Sequence, residues 1–354
     1  MNNLFFYALS CAMTIVCIQL LDKPARRFGL VDIPNGRKNH RGIMPLTGGL
    51  AMFFALVATV FLQGAVLSVY WTILPALVIL VATGIGDDLF DLSALSRFVA
   101  QTAAAVLMVY AGKVSITDLG DLFGSGAIRL GAGSLPFTVF CVVGVINAVN
   151  MLDGIDGLAG GVVFCVLLLF GGSAWLGGHA YPATLLFVLA GAVAGFLTLN
   201  MRSPWLDRAA VFMGDSGSMM LGLAVAWFAI DLSRPAAQAF APISAVWILA
   251  LPILDTVSLM LRRILKGRSP FAPDHDHLHH VFLRAGFSVQ QTVALIVLAS
   301  LSLGLVGLAA WRYGVPDYVM CYAFLGLFVA YFFGMLHAWK VMRILRGIHD
   351  FKFG

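Results

Sequence analysis

Residues 135–176 read LPFTVFCVVGVINAVNMLDGIDGLAGGVVFCVLLLFGGSAWL. Two long apolar runs flank a polar knot, Asn147 to Gly157, that carries two asparagines and two aspartates. Roughly 17 to 25 apolar residues cross a bilayer core, so 135–151 and 158–176 each read as a span and the knot lies at the face between them. Polar residues three apart drift about 60° per step on a helix, so Asn147, Asn150, Asp153 and Asp156 would not share one face of a continuous one. Gly154 and Gly157 are expected to end the helix near Asp153, leaving the asparagines on its last turns and both aspartates in a glycine-rich turn. Amide and carboxylate oxygens gathered in this way suit a hard cation such as Mg²⁺. The blander alternative has Asp156 capping the next helix and the asparagines bonding between helices.

The rest of the chain repeats this pattern. Of 354 residues 60% are hydrophobic and 11% charged, which excludes a soluble globular class and marks an integral membrane protein. All 17 acidic residues are aspartates, so the Glu/Lys pairing of solvated helix surfaces is absent. Further spans are drawn at about 4–21, 46–62, 68–86, 98–111, 183–199, 217–230, 241–261, 291–309 and 317–338, for eleven in all, or ten if a short one is re-entrant. The first has no basic stretch before it and no small-residue cleavage site before Asp22, so it is expected to stay as an anchor. Eighteen of the 22 Lys and Arg residues fall in one alternating set of connections, 22–45, 87–97, 152–157, 200–216, 262–290 and the tail after 339. Positive charge marks cytoplasmic loops, which predicts an outside N-terminus and a cytoplasmic C-terminus. The net charge of +5 is accounted for by basic loops beside anionic lipid and calls for no nucleic acid. Five cysteines lie inside spans without a Cys-x-x-Cys pair, which argues against a disulfide framework or zinc cluster. The reading is one all-α membrane domain over 1–354.

Four polar clusters then fall on the same predicted face. Asp87-Asp88 stands at a helix C-terminus, where the macrodipole disfavours each carboxylate by about 0.3 to 1 kcal/mol, so a compensating cation is required. One of the pair is suited to act as a base or a metal ligand, the alternative being a solvated loop in which Asp88 or Asp91 helps start the next helix. The knot at 147–157 is the second cluster. In Gly214-Asp215-Ser216-Gly217-Ser218 either serine reads as an N-cap, with Asp215 placed as a metal ligand. Between spans nine and ten lie Arg262, Arg263, Lys266, Arg268 and then Asp274 to His280, DHDHLHH. Histidines admit a zinc site, but flanking Arg and Lys favour a diphosphate. Asp255, inside span nine, is an intramembrane charge and so either a functional group or a buried partner for Arg262 or another cation. In the loop 22–49, Pro34 and Gly48-Gly49 suggest a segment folded back on the membrane surface.

As a set these pieces resemble the polyprenyl-phosphate N-acetylhexosamine-1-phosphate transferases. The matching residues are Asp32 to His40 (Asp-x-Pro-x-x-Arg-Lys-x-His), Gly48-Gly49, Asp87-Asp88, Asn147 to Gly157, Phe212 to Ser218, and Ser269 to Asp274 with His277, His279 and His280. His275, where a basic residue such as arginine is expected, and Ser216, where alanine often occurs, are departures. The resemblance implies ten or eleven helices with the site on the cytoplasmic face of a bacterial inner membrane. It implies transfer of a sugar-1-phosphate from a UDP-sugar, UDP-GlcNAc first, to undecaprenyl phosphate, with release of UMP. Mg²⁺, or Mn²⁺ in its place, is the implied cofactor, held by Asp215 and Asn150. Asp87 would deprotonate or position the lipid phosphate, and Asp88, Asp153 and Asp156 would line the site. Lys38, His40, Arg97, Asn147, Arg268, His277, His279 and His280 would bind substrate, the three histidines facing nucleotide and diphosphate. The product would be the first lipid-linked intermediate of a cell-surface polysaccharide, and a homodimer stays open. Direct attack by the lipid phosphate is favoured over an aspartyl-phosphate relay, because the acceptor is already an oxyanion. Another UDP-sugar, or a transporter with polar residues at mid-membrane, are the competing readings.

Overall fold

A computed structural model describes residues 2–33, 42–269 and 277–353. Lys38, His40 and the segment from Pro270 to Asp276, with His275, lie outside the described residues. Among the described residues the fold is all-helical except for one two-stranded ribbon, in which β1 (Val31–Asp32) pairs antiparallel with β2 (Met44–Pro45). The chain divides into two compact units, Met1–Asp118 with Arg129–Phe240, and Leu119–Ile128 with Ala241–Gly354.

Unit 1 holds α1 (Asn3–Phe28), α2 (Gly48–Phe61), α3 (Gly64–Tyr70), α4 (Ile73–Phe90), α5 (Ala94–Tyr110), α6 (Ser134–Leu152), α7 (Leu158–Leu176), α8 (Ala180–Asn200) and α9 (Gly214–Asp231). Its axis is α9, which packs against α2, α4, α6 and α7 and is buried at every position except Asp215. A helix enclosed by other helices buries small and large apolar side chains all round, which explains its run of Gly, Ala, Met and Leu. The outer layer is formed where α1 packs on α8 and α7 on α8. Gly48 and Gly49 open α2, and their N–H groups donate to the carbonyls of Phe212 (3.0 Å) and Met213 (2.9 Å) just before α9. The start of α2 is thus tied to the base of the central helix.

Unit 2 holds α10 (Pro242–Ile248), α11 (Ala250–Leu265), α12 (Leu278–Arg284), α13 (Val289–Arg312), α14 (Asp317–Leu336) and α15 (Ala338–Phe353). Its core gathers Trp247, Leu254, Met320 and Phe324. The buried Trp247 indole donates to the Met320 carbonyl at 3.1 Å, so its polar edge is satisfied.

Among the described residues seven helices are long and apolar enough to cross a membrane, and nine if the pairs α2–α3, bent by 112°, and α10–α11, bent by 78°, each count as one span. Each of the eleven predicted stretches has a helical counterpart among these elements. The difference in number comes from α5, an apolar helix of 17 residues, and from α9, whose ends carry Asp215 and Asp231 and whose sides face protein. On α14, Leu325, Val329 and Phe333 are exposed, as a helix in contact with hydrocarbon requires. The chain is a multi-pass membrane protein.

Candidate active site

The last turn of α4, the C-terminus of α6, the turn after it and the N-terminus of α9 place five aspartates together. Close approach is made possible by Gly84 on α4, where a Cβ atom would stand 2.2 Å from the Ser216 nitrogen. Gly214 adopts φ +71° and leaves room for Asp88, whose Oδ2 would lie 2.6 Å from a Cβ there. Asp88 Oδ1 accepts the Asp215 N–H at 3.1 Å, and the Ser216 N–H also favours this carboxylate. A carboxylate from α4 thereby caps α9 and meets the positive end of its dipole. Ser216 and Ser218, expected as N-caps, instead lie inside α9, and Met213 holds the cap position.

Asp87, 3% exposed at its side chain, accepts from Arg97 Nη1 at 2.9 Å. Arg97 is the cation required beside the aspartate pair, carried one helix further on by α5. Ser93, not Asp88 or Asp91, caps that helix by accepting from the Ser96 N–H. The Asp215 and Asp87 carboxyls are within hydrogen-bonding reach of each other. Asn150 Nδ2 donates to Asp215 Oδ1 at 2.6 Å and to Ser218 Oγ at 2.9 Å. Separate motifs from α4, α6 and α9 therefore meet at one point. Two carboxylate oxygens in it, Asp87 Oδ1 and Asp88 Oδ2, are buried without a partner.

The helix before the knot ends at Leu152, with Asp153 as its C-cap. Crowding by protein atoms, then the like charges of Asp215 and Asp156, push the Asp153 carboxyl up to about 7, although the residue keeps part of its surface in solvent. Asp156 does not cap α7, since Gly157 holds that position. It accepts from Arg202 Nε at 2.7 Å and from the Ala209 N–H at 3.4 Å.

Two residues of this framework escape a reading by motif. Arg202 counts in the sequence only as a topological charge. Asn200, buried at the end of α8, accepts the Gly157 N–H at 2.8 Å and donates to the Val211 carbonyl at 2.9 Å, joining the two site loops. The available signal was an amide closing an apolar run. Asn147, expected to bind substrate, donates to Gln101 Oε1 (2.7 Å) and to the Val143 carbonyl (2.8 Å). It ties α6 to α5, which is the interhelical alternative raised for the asparagines.

Unit 2 contains a separate polar cluster. Asp255 accepts from the Leu278 N–H at 3.1 Å and the Tyr331 hydroxyl at 2.8 Å, and shares a 2.8 Å bond with His277 Nδ1. Its buried partner is a histidine and not Arg262. The rings of His277 and His279 stack at 5.5 Å, and those of His279 and His280 stand 4.2 Å apart. Burial, then the neighbouring His280 and His277, lowers the His279 pKa to about 3, so this ring is neutral at physiological pH. Arg268 is exposed.

Fold and site together define a multi-pass membrane protein with an acidic site built at helix ends. The profile of Glycosyl transferase family 4 matches residues 70–233, a stretch that includes Asp87, Asp88, Asn150, Asp153, Asp156 and Asp215. The chain is 37% identical to the undecaprenyl-phosphate alpha-N-acetylglucosaminyl 1-phosphate transferase of Escherichia coli K12, over 92% of this chain and 89% of that protein. A protein of the same name from Salmonella typhi is 37% identical over 95% and 91% of the two chains. One from Haemophilus influenzae is 34% identical over 98% and 97%. The chain belongs to glycosyl transferase family 4 and is a glycosyl-1-phosphate transferase.

Proposed function

We propose that this protein transfers GlcNAc-1-phosphate from UDP-GlcNAc to undecaprenyl phosphate, releasing UMP. The observation that carries the reading is the near full-length likeness to proteins named for that acceptor and sugar. In the reaction an oxygen of the lipid phosphate attacks the phosphorus bearing the sugar. The bond from that phosphorus to the bridging oxygen breaks, and UMP leaves with the electron pair. The lipid-linked sugar diphosphate starts a cell-surface polysaccharide. We read residues 1–354 as one transferase domain of ten or eleven spans in the bacterial inner membrane, N-terminus outside, C-terminus and site cytoplasmic. The placement of basic residues supports that orientation.

Of the five aspartates, Asp87 pairs with Arg97 and Asp156 with Arg202, and the orphaned oxygens of Asp87 and Asp88 are hard donors. That set fits Mg²⁺, or Mn²⁺, with Asp215 and Asn150 as the holding residues. No three acidic, histidine or cysteine side chains among the described residues stand in coordinating geometry, so the fit is one of donor chemistry. When bound, the cation would neutralise charge on the diphosphate and polarise the transferring phosphorus. Asp87 orients the acceptor phosphate, with Arg97 holding the carboxylate in place. Asp88 fixes the start of α9 and so the direction of Asp215. Asp153, poised near neutrality, can take a proton from the acceptor monoester. His277, His279 and His280 are assigned to the donor by their place in the motif alone.

The test is purified protein with UDP-GlcNAc, undecaprenyl phosphate and Mg²⁺ or Mn²⁺, reading lipid-linked product and UMP. Turnover with UDP-GalNAc alone would change the sugar, and turnover with no UDP-sugar would reject the assignment. A phosphorylated Asp87 or Asp88 after donor is added without lipid would replace direct attack with a covalent relay.

A further inference from the structure

At the end of α9 remote from the acidic centre, unit 1 holds an open cavity of about 570 Å³. Small-molecule sites run from about 300 to 1,000 Å³. The cavity forms where α3 and α5 end, where α8 begins and where α9 closes. Helix α9 runs 18 residues from Gly214 to Asp231, about 27 Å at 1.5 Å per residue. Helix α4 covers the same interval in reverse, from Thr72 on the cavity wall to Asp87 and Asp88. A small ligand of the acidic centre therefore does not reach the cavity.

The wall settles what the cavity takes. Its charged members, Asp231 and Arg234, are spent on each other and on the wall itself. Arg234 Nη2 pairs with Asp231 Oδ1, Arg234 Nη1 donates to the Lys113 carbonyl at 2.6 Å, and Asp231 Oδ2 accepts the Tyr70 hydroxyl at 3.0 Å. A pair compensated in this way offers no surplus charge to an ion. The spare valence is donor in kind: Trp227 Nε1 and Arg234 Nε are buried with no acceptor among the described residues, so an oxygen acceptor completes them. Trp227, 1% exposed, is seated against Gly112, where a Cβ would stand 2.3 Å from its ring. The indole is thus fixed before any ligand arrives. Tyr70 and Tyr181, the latter 42% exposed, supply two more rings, and His179 a further polar edge.

We infer that this cavity binds the uncharged pyranose ring of a glycan. A pyranose has faces of C–H bonds, which pack on aromatic rings, and an equator of hydroxyl oxygens, which exchange hydrogen bonds with N–H and O–H groups. It carries no charge, as a wall without surplus charge requires. The site stands at the opposite end of the helices from the acidic centre, and so is separate from the place of the donor sugar in the reaction. The inference rests on neither the sugar nor the acceptor assigned above.

The test is saturation-transfer NMR on the full-length protein in lipid nanodiscs free of sugar detergent, with millimolar methyl glucoside, glucuronate or glucosamine added. Methyl glucoside is expected to receive saturation, and the anionic and cationic sugars are not. Tyr181→Ala, at the exposed rim, should weaken methyl glucoside binding about fivefold. Trp227→Phe keeps a ring and removes the N–H, and should weaken binding as well; the Tyr181 variant decides if this one fails to fold. Hexyl glucoside assigns the source. Tighter binding than methyl glucoside means a lipid-borne glycan and equal binding a soluble one, and either result supports the site. No saturation of any neutral glycoside, equal saturation of glucuronate or glucosamine, or unchanged binding in both variants would overturn the inference. So would displacement of methyl glucoside by UDP-GlcNAc, because the signal would then come from the transferase site.

Discussion

The two acidic centres of this protein are constructed in opposite ways. In unit 1 five aspartates gather, of which Asp87 pairs with Arg97 and Asp156 with Arg202, and Asp87 and Asp88 each keep a buried oxygen with no partner. In unit 2, Asp255 is a single carboxylate whose oxygens are met by His277, the Leu278 N–H and the Tyr331 hydroxyl. Burying an uncompensated charge costs several kcal/mol, so a fold retains such an arrangement only where something outside the chain completes it. A fully bonded carboxylate needs nothing further and holds its neighbours in place. Incomplete compensation thus separates the group that meets ligand from the group that positions residues.

The contrast breaks if removing charge from the first centre costs stability instead of turnover. Asp215→Asn is expected to lower kcat at least about a hundredfold, with unchanged membrane insertion and a melting temperature equal to or above that of the wild type. Near wild-type turnover in the radiolabelled transfer assay would remove Asp215 from the site. The second centre should respond in reverse. Asp255→Ala leaves the His277 ring, a backbone N–H and a tyrosine hydroxyl unpaired in a buried setting, and is expected to destabilise by about 2 to 4 kcal/mol. Denaturant titration in detergent reads that loss, and a melting curve matching the wild type would show Asp255 to be dispensable as a scaffold.

This asymmetry also explains what was legible in the sequence. Apolar runs and glycine stops foretold the helices and the end of α6 at Leu152, because hydrophobic length and helix termination are local properties. The aspartates of the acidic centre were legible for a related reason: carboxylates in an oily chain are conspicuous. Their partners were not. That Asp88 would cap α9 from another helix, that Arg202 would bind Asp156, and that Asn200 would join two loops are consequences of tertiary approach, which Gly84 permits but no spacing announces. Nor was the contact of Asn147 with α5 legible. Its environment, a glutamine one helix away, lies 46 residues distant in sequence.

His279 offers a finer measure of the second centre through pH. Its folded pKa of about 3 lies below the ordinary histidine value, so the unfolded chain takes up a proton first as the pH falls. Stability from the neutral ring is fully present above about 6.5 and declines as the pH drops toward 3, by at most about 1.4 kcal/mol per unit. His279→Gln should flatten melting temperature against pH between 5 and 7. An unchanged slope would assign the acid sensitivity to other groups.

The smallest expected effect is the most discriminating for site membership. Asn147 and Asn150 sit one turn apart on α6, and only Asn150 reaches the acidic centre. Asn147→Ala leaves the Gln101 carbonyl oxygen without its donor, at a cost of about 1 kcal/mol, while KM for the UDP-sugar and the dependence on divalent cation stay at wild-type values. Asn150→Ala should do the converse, raising the cation concentration needed for half-maximal turnover with little change in melting temperature. If both variants shift cation dependence alike, the boundary between scaffold and site does not run between these two residues, and Asn147 acts on the acidic centre through the α5–α6 contact.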